Sequence, residues 1–562
     1  MADNVPGMLY VTMEPQEGLS LDQFHEWYNN EHGPTRLRLP QIFTNGLRYQ
    51  ATDGQQPTFL AAYDVTSMSH LETPTYLTLR ANRSPREAET IGQVDVVRHF
   101  LDLVATKQSE EFVPIEEIPD EEAEGLVLVS VQVELREGVD EKEVIRWYEE
   151  EHLEMLAKVP GWLRSRVYRT PSVIENGVSG HAVKIVTLHD YAKENGLGGE
   201  EHTASMSTPW RDAIFAKYVT AKTRRTYELF YTFGPAPREL GALSRVASSS
   251  SIAGMSIDGA LLSRSMSTTS FTALDGSLAT IADASGDAVI TSTIYAPDGL
   301  AIPYRLEGNT SPKAPTVAFA NSLLTSLHMW DPLVAILKKE RPDLRILRFD
   351  TRGRHVCPAK GATLEILADD LATLLNALRV TKLRALVGVS MGGATTLRFA
   401  LRHPSRLEKF IACDFNASSS ATNTQAWKDR TAVAESDNGE GIKTQLAPVT
   451  VSRWFHPHTM AEKKDVVEWM TKMVGENSVQ GFRYGCQALW EYDMREEMRS
   501  CTVKGLFVVG EGDAGGALVK AMDGFKGNLG AEGAELKIVP LTGHLPMCEA
   551  PEEVWAAVEG FL

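Results

Sequence analysis

Leu383 to Pro404 reads LRALVGVSMGGATTLRFALRHP. An apolar run leads into Gly388-Val389-Ser390-Met391-Gly392, and a helix-forming stretch follows. This is G-x-S-x-G in the one context where it carries chemistry: glycines flanking the serine permit a strand-to-helix turn so tight that the hydroxyl is pushed outward. Ser390 is therefore the candidate nucleophile.

Working outward, the same grammar repeats. Apolar runs that end in polar residues occur at TVAFANS (Thr316–Ser322), LRILRFDTRG (Leu344–Gly353), LEKFIACD (Leu407–Asp414), VKGLFVVGEGD (Val503–Asp513) and ELKIVPLTGH (Glu535–His544). Helical segments such as WDPLVAILKKERP (Trp330–Pro342) and TLEILADDLATLLNALRV (Thr363–Val380) lie between them. Continuous apolar strands alternating with helices predict a doubly wound, mostly parallel sheet, with ligands at the carboxyl ends of its strands. TSTIYAPDGLAIPYRLEG (Thr291–Gly308) reads as a preceding hairpin turned by Pro-Asp-Gly.

These features resemble the α/β-hydrolase fold, over about residues 286–562. The resemblance implies the chain order serine, acid, histidine. His544, just after the last strand, takes the final place as general base. Asp513 is the candidate acid, with Glu511 and Asp414 as rivals. The oxyanion hole is expected at the backbone N–H groups of Met391 and Leu323, flanked by Ser322.

Within that fold the chain looks like 3-oxoadipate enol-lactonases. The matching stretches are NSLLTSLHMWDP (Asn321–Pro332), RFDTRG (Arg348–Gly353), VGVSMGG (Val387–Gly393), RHPSRL (Arg402–Leu407) and GHLPMCEAPEEV (Gly543–Val554). The resemblance implies a serine hydrolase that opens a lactone or carboxylic ester through an acyl-enzyme, as in aromatic-compound catabolism. It departs from that family at His355 and Cys357, which stand where a glycine and a serine are usual, and in the acid loop GEGDAGGALV. A helical cap is expected at about 416–499, with Trp427, Trp454 and Trp490 as candidate pocket walls. Arg352 is a candidate carboxylate ligand or a brace for its own turn. Two other readings stay open: a C–C hydrolase acting on a polyketide-like or aromatic-derived β-diketone, and a non-catalytic binding scaffold. No cofactor or metal is expected. Dehalogenase and epoxide-hydrolase chemistry is excluded, because both need a carboxylate where Ser390 stands.

The first 235 residues repeat themselves. FHEWYNNEH (Phe24–His32) aligns with VIRWYEEEH (Val144–His152) at an offset of 120 residues. Phe24, Trp27, Tyr28, Glu31 and His32 fall at i, i+3, i+4, i+7 and i+8 and share a helix face, and Val144, Trp147, Tyr148, Glu151 and His152 repeat that spacing. Each helix sits in a β-α-β-β-α-β pattern, which predicts a tandem of ferredoxin-like units (1–107 and 125–235) whose sheets bury a shared face. This half resembles EthD-like domains of the dimeric α/β-barrel superfamily. The Glu31-His32 and Glu151-His152 pairs are either ligand-binding groups or the ends of core helices. The fold class is thus α+β followed by α/β.

An acidic linker (108–124) joins the copies, and a Ser/Gly/Ala-rich linker (236–285) precedes the hydrolase-like half. Net charge is −18 over 562 residues, which argues against nucleic-acid or anionic-membrane partners. Five cysteines without C-x-x-C spacing, no leader pattern at the N-terminus and no long apolar run predict a cytoplasmic protein. The expected partner is a small lactone or ester substrate. Exposed sheet edges in the tandem half would favour a homo-oligomer.

Overall fold

The structure is a computed structural model that describes residues 5–170, 184–241, 270–272, 278–282 and 288–562. Most of the segment read as the 236–285 linker lies outside them. The chain divides into two compact units, with the division near Pro237.

In the first unit, eight strands form a closed barrel: β1 (Gly7–Pro15), β2 (Leu47–Ala51), β3 (Phe59–Val65), β4 (Val94–Gln108), β5 (Val127–Leu135), β6 (Trp162–Arg169), β7 (Lys184–Tyr191) and β8 (Val219–Thr232). Their order is β1-β3-β2-β8-β5-β7-β6-β4, antiparallel throughout. The repeat is real, but its halves do more than pack face to face. They hydrogen-bond edge to edge at β2–β8 and β4–β6. Closure leaves the barrel no free edge, so the edge-based argument for a homo-oligomer falls away here.

Alternation along each strand explains the layering. Met8 and Tyr10 point into the barrel with Tyr168 and Tyr227, whereas Leu9, Val11 and Met13 lie beneath the helices with Phe24, Trp27 and Tyr28. Tyr10 donates to Ser130 at 3.2 Å. These two residues are equivalent under the 120-residue offset, so the copies meet about a pseudo-twofold axis. The aromatic-Glu-His helices differ from the expected uninterrupted α-helix. Tyr28–His32 and Tyr148–His152 wind as π-turns, closed by Gly33 N–H to Tyr28 O and Leu153 N–H to Tyr148 O. One residue inserted into a helical turn produces such a bulge, a feature frequent at functional sites.

The second unit is built on a ten-stranded sheet in the order β18-β17-β16-β15-β13-β14-β12-β11-β10-β9. The strands are β9 (Ser270–Thr272), β10 (Leu278–Ala282), β11 (Ala288–Tyr295), β12 (Ala301–Gly308), β13 (Thr316–Ala320), β14 (Arg345–Phe349), β15 (Ala385–Val389), β16 (Lys409–Cys413), β17 (Lys504–Gly510) and β18 (Glu535–Val539). From β14 through β18 the pairing is parallel, and the β11–β12 hairpin is antiparallel. β9 and β10 fall inside the segment read as a linker and extend the sheet. Every residue of β13, β14 and β15 is buried, which is why those strands read as unbroken apolar runs. Helices Ala421–Glu435, Ala447–Trp454 and Lys464–Gly475 lie between β16 and β17, where the cap was expected. No helix among the described residues is long and apolar enough to cross a membrane.

One ion-pair cluster ties the barrel's copies together. Arg166 on β6 reaches Asp64 on β3 of the other copy at 2.9 Å and Asp190 on β7 at 3.2 Å. Asp190 also receives Arg164 at 2.9 Å and is held below its ordinary range: burial raises it, but the two arginines outweigh that. Removing one partner of a buried pair leaves the other charge uncompensated. Arg166→Ala is expected to destabilise the barrel by about 3 kcal/mol, read as a lowered urea midpoint for the barrel's unfolding transition.

Candidate active site

The candidate nucleophile's position follows from a turn that few sequences tolerate. Ser390 has φ 60° and ψ −117°, a region L-residues seldom occupy. Its N–H donates to Cys413 O at 2.9 Å. A Cβ at Gly388 would lie 2.2 Å from Gly392 O, and one at Gly392 would lie 2.1 Å from Ala320 O. Both glycines are thus demanded by backbone contact.

At the carboxyl ends of β17 and β18 two loops complete the constellation. His544 Nε2 lies 2.9 Å from Ser390 Oγ, and His544 Nδ1 lies 2.7 Å from Asp513 Oδ2. The residues predicted as nucleophile, base and acid are therefore brought together in one hydrogen-bonded line. Glu511 is elsewhere: its carboxylate accepts the Leu541 amide at 3.1 Å.

Asp414 stands behind the acid. It is 1% exposed, and its Oδ1 accepts the Gly510 amide at 2.9 Å. Burial, and then the neighbouring Asp513 charge, push its carboxyl far above the ordinary range. Asp513 goes the other way. Burial would raise it, but His544 and a hydrogen bond from Asp414 hold it low. Two close carboxyls cannot both ionise, and the environment decides which one does. Here the ionised one faces the imidazole.

The histidine loop has a tie that the sequence did not reveal. Glu549, 1% exposed, accepts the Gly543 amide at 2.7 Å and the His456 amide at 2.8 Å. His544 N–H donates to Trp454 O at 2.6 Å, so the cap is hydrogen-bonded to the same loop. On the oxyanion side, Met391 is the first residue of helix Met391–Arg402, so its N–H has no intrahelical acceptor. Leu323 lines the cavity above the serine. Its loop is pinned by Asn321, which donates to Phe349 O and accepts from Trp330 Nε1, both at 2.9 Å.

The cavity over Ser390 has a volume of about 360 Å³. Trp427 and Trp454 form part of its wall. Trp490 and Ser322 do not line it: Lys428 covers the Trp490 ring at 5.2 Å, and the buried Ser322 shapes its own turn, its carbonyl accepting Thr325 Oγ1 at 2.8 Å. Arg352 is also displaced from the candidate list. Asp370 binds it at 2.6 Å through both Nε and Nη2, and Asp298 binds it at 2.8 Å, so the guanidinium braces its turn. His355 is taken up by Asp350 at 2.6 Å.

Two cap residues not anticipated from sequence also line the cavity: Arg430 and Arg453. Burial lowers both, Arg430 to about 10 with Arg453 repelling it. Among the described residues no carboxylate lies within ion-pair distance of either. Arg430 stacks at 4.4 Å on the Trp427 ring.

Residues 315–446 match the family model described as alpha/beta hydrolase fold. The chain is 27% identical over 255 residues to 3-oxoadipate enol-lactonase 1 of Acinetobacter baylyi, covering 45% of this chain and 91% of that protein. The C-terminal half has the α/β-hydrolase fold. It is also 28% identical over 201 residues to 3-oxoadipate enol-lactonase 2 of the same organism, covering 35% and 72%. A solved enol-lactonase from Burkholderia xenovorans is 29% identical, with a TM-score of 0.42, covering 48% of this chain and 99% of that one.

The carboxyl pair predicts contrasting outcomes for two similar substitutions. Asp513→Asn should lower kcat by roughly 10⁴-fold, because an amide no longer selects the imidazole tautomer. Asp414→Asn should retain most activity, since an amide reproduces the protonated carboxyl's one acceptor and one donor. It should also gain stability over the parent as pH rises from about 4 to 8. In the parent, folding holds Asp414's proton above the unfolded pKa, so the parent loses stability with rising pH, and the amide does not. Steady-state rates and thermal melts across pH check both.

Proposed function

We propose that the C-terminal half is a serine hydrolase that opens an enol-lactone or closely related ester carrying its own carboxylate. One observation carries this reading: a serine, histidine and aspartate in hydrogen-bonded line open onto a cavity lined by Arg430 and Arg453, neither of which has a carboxylate within ion-pair distance among the described residues, with Asp513 acting on Arg453 only from farther off. The aromatic walls suit a small unsaturated body, and the arginines suit an anionic tail.

In this reading His544 Nε2 takes the Ser390 Oγ proton as the oxygen attacks the lactone carbonyl. The tetrahedral oxyanion is held by the Met391 and Leu323 N–H groups. Collapse breaks the ring C–O bond. The enol oxygen leaves, receives the proton from His544, and its enol tautomerises to the ketone. Water then gives a proton to His544 and attacks the acyl-serine, releasing a carboxylate and restoring Ser390. Asp513 holds Nδ1–H throughout and stabilises the imidazolium.

The enol-lactonase relatives support the substrate class. The β-α-β-β-α-β duplication and the paired W-Y-x-x-E-H helices support reading the barrel as EthD-like. Five unpaired cysteines support a reducing, cytoplasmic setting.

Turnover of 3-oxoadipate enol-lactone and of a neutral aryl ester separates the roles. Ser390→Ala should lower both by roughly 10⁴-fold or more. Arg430→Ala and Arg453→Ala should each raise KM for the lactone by roughly 10- to 100-fold, the value of a charge-assisted bond, and leave the neutral ester nearly unchanged. Turnover surviving in Ser390→Ala, or equal losses on both substrates in the arginine variants, would overturn the reading.

A further inference from the structure

The two copies in the barrel share one device and differ at its key position. In the first copy Ser84 caps helix Pro85–Ile91: its Oγ accepts the Glu87 amide and donates to Glu31 at 2.5 Å. In the second copy Thr208 caps helix Pro209–Tyr218: its Oγ1 accepts the Arg211 amide and donates to Glu151, also at 2.5 Å. Ser84-Pro85-Arg86-Glu87 thus corresponds to Thr208-Pro209-Trp210-Arg211. The motif glutamate does the same work in both copies, pinning one helix to the next.

The motif histidines do not. His32 Nδ1 donates to Glu87 at 2.6 Å. Where the first copy has Glu87, the second has Arg211. His152 is only 6% exposed, and its Nδ1 has no hydrogen-bond partner. An unpartnered buried polar atom is uncommon and calls for an explanation.

A cavity of about 210 Å³ lies at this place, with His152 and His189 in its wall. Trp147, Tyr148 and Phe215 supply aromatic surface, while Arg211, Lys222 and Arg224 supply positive charge; among the described residues no carboxylate lines it. Asp212, outside the lining, holds one Arg211 nitrogen at 2.9 Å. Partial burial, and then Arg211 and Arg224, depress Lys222, so the cations around the cavity repel one another.

We propose that this cavity binds a small organic anion, a carboxylate on a flat apolar body, which takes the place that Glu87 occupies in the first copy. The inference is independent of the hydrolase reading. An arriving carboxylate balances Arg211, Lys222 and Arg224 and draws a proton from solvent onto His152 Nδ1.

Benzoate is the probe and benzamide its neutral counterpart, measured by equilibrium dialysis on the full chain. Arg430→Gln/Arg453→Gln serves as background, so that the hydrolase cavity does not contribute. Saturable benzoate binding is expected there, with benzamide binding at least about tenfold weaker. Arg211→Glu restores the first copy's arrangement and should abolish benzoate binding while circular dichroism stays native. Lys222→Gln, on the exposed rim, should weaken it. In histidine NMR, benzoate should shift the His152 resonance toward its protonated position. No saturable benzoate binding in the millimolar range, equal binding of benzamide, or undiminished binding in a folded Arg211→Glu would overturn the proposal.

Discussion

The backbone at Ser390 is the constraint on which the catalytic half depends. A residue held at positive φ costs about 1–3 kcal/mol, and here the cost is met by close contact on every side. Gly388 and Gly392 let strand β15, helix Met391–Arg402 and the β13 carbonyls approach until no Cβ fits between them. The reward is positional. The hydroxyl stands clear of the sheet at the one edge where the loops after β17 and β18 arrive, and the helix that begins at Met391 offers an unsatisfied N–H beside it.

Two carboxyls then divide the work. Asp513 and Asp414 are close enough that one proton suffices for both, and the deeper residue keeps it. That leaves the charge beside His544, where it orients the ring and, in the proposed mechanism, would offset the imidazolium. Glu549 reinforces the arrangement by binding two backbone amides of the loops that carry and contact His544. The base is thus positioned by the chain's last loop, by the cap through Trp454, and by a buried acid six residues beyond Gly543.

The sequence disclosed local features well and tertiary ones poorly. The Ser390 turn was legible because its requirement is local: glycine, one serine, an apolar strand before and a helix after. His544 and Asp513 were legible through chain order, but Asp414 remained a rival acid, because only packing shows which carboxyl meets the imidazole. Arg430 and Arg453 were invisible, since which faces of cap helices look inward is set by how those helices pack. Arg352 sat in the RFDTRG turn that matches the enol-lactonase pattern and proved to be held by Asp370 and Asp298. In the barrel the 120-residue repeat was plain, but its closure through β2–β8 and β4–β6 is a long-range event. The Glu87-to-Arg211 exchange was readable by aligning the two S/T-P-x-x caps, a comparison that follows naturally once Glu31 and Glu151 are seen holding those caps.

The two halves illustrate one principle with different means. In the hydrolase a buried charge is matched within the chain, Asp513 against His544. In the barrel one copy matches its histidine internally and the other leaves the place to a visitor. The central claim, an activated serine at position 390, is tested most directly by mass spectrometry of the chain after exposure to a fluorophosphonate. The account predicts one covalent adduct on the peptide containing Ser390, forming slowly or not at all in His544→Ala. An unlabelled protein, or an adduct on another residue with Ser390 unmodified, would contradict it.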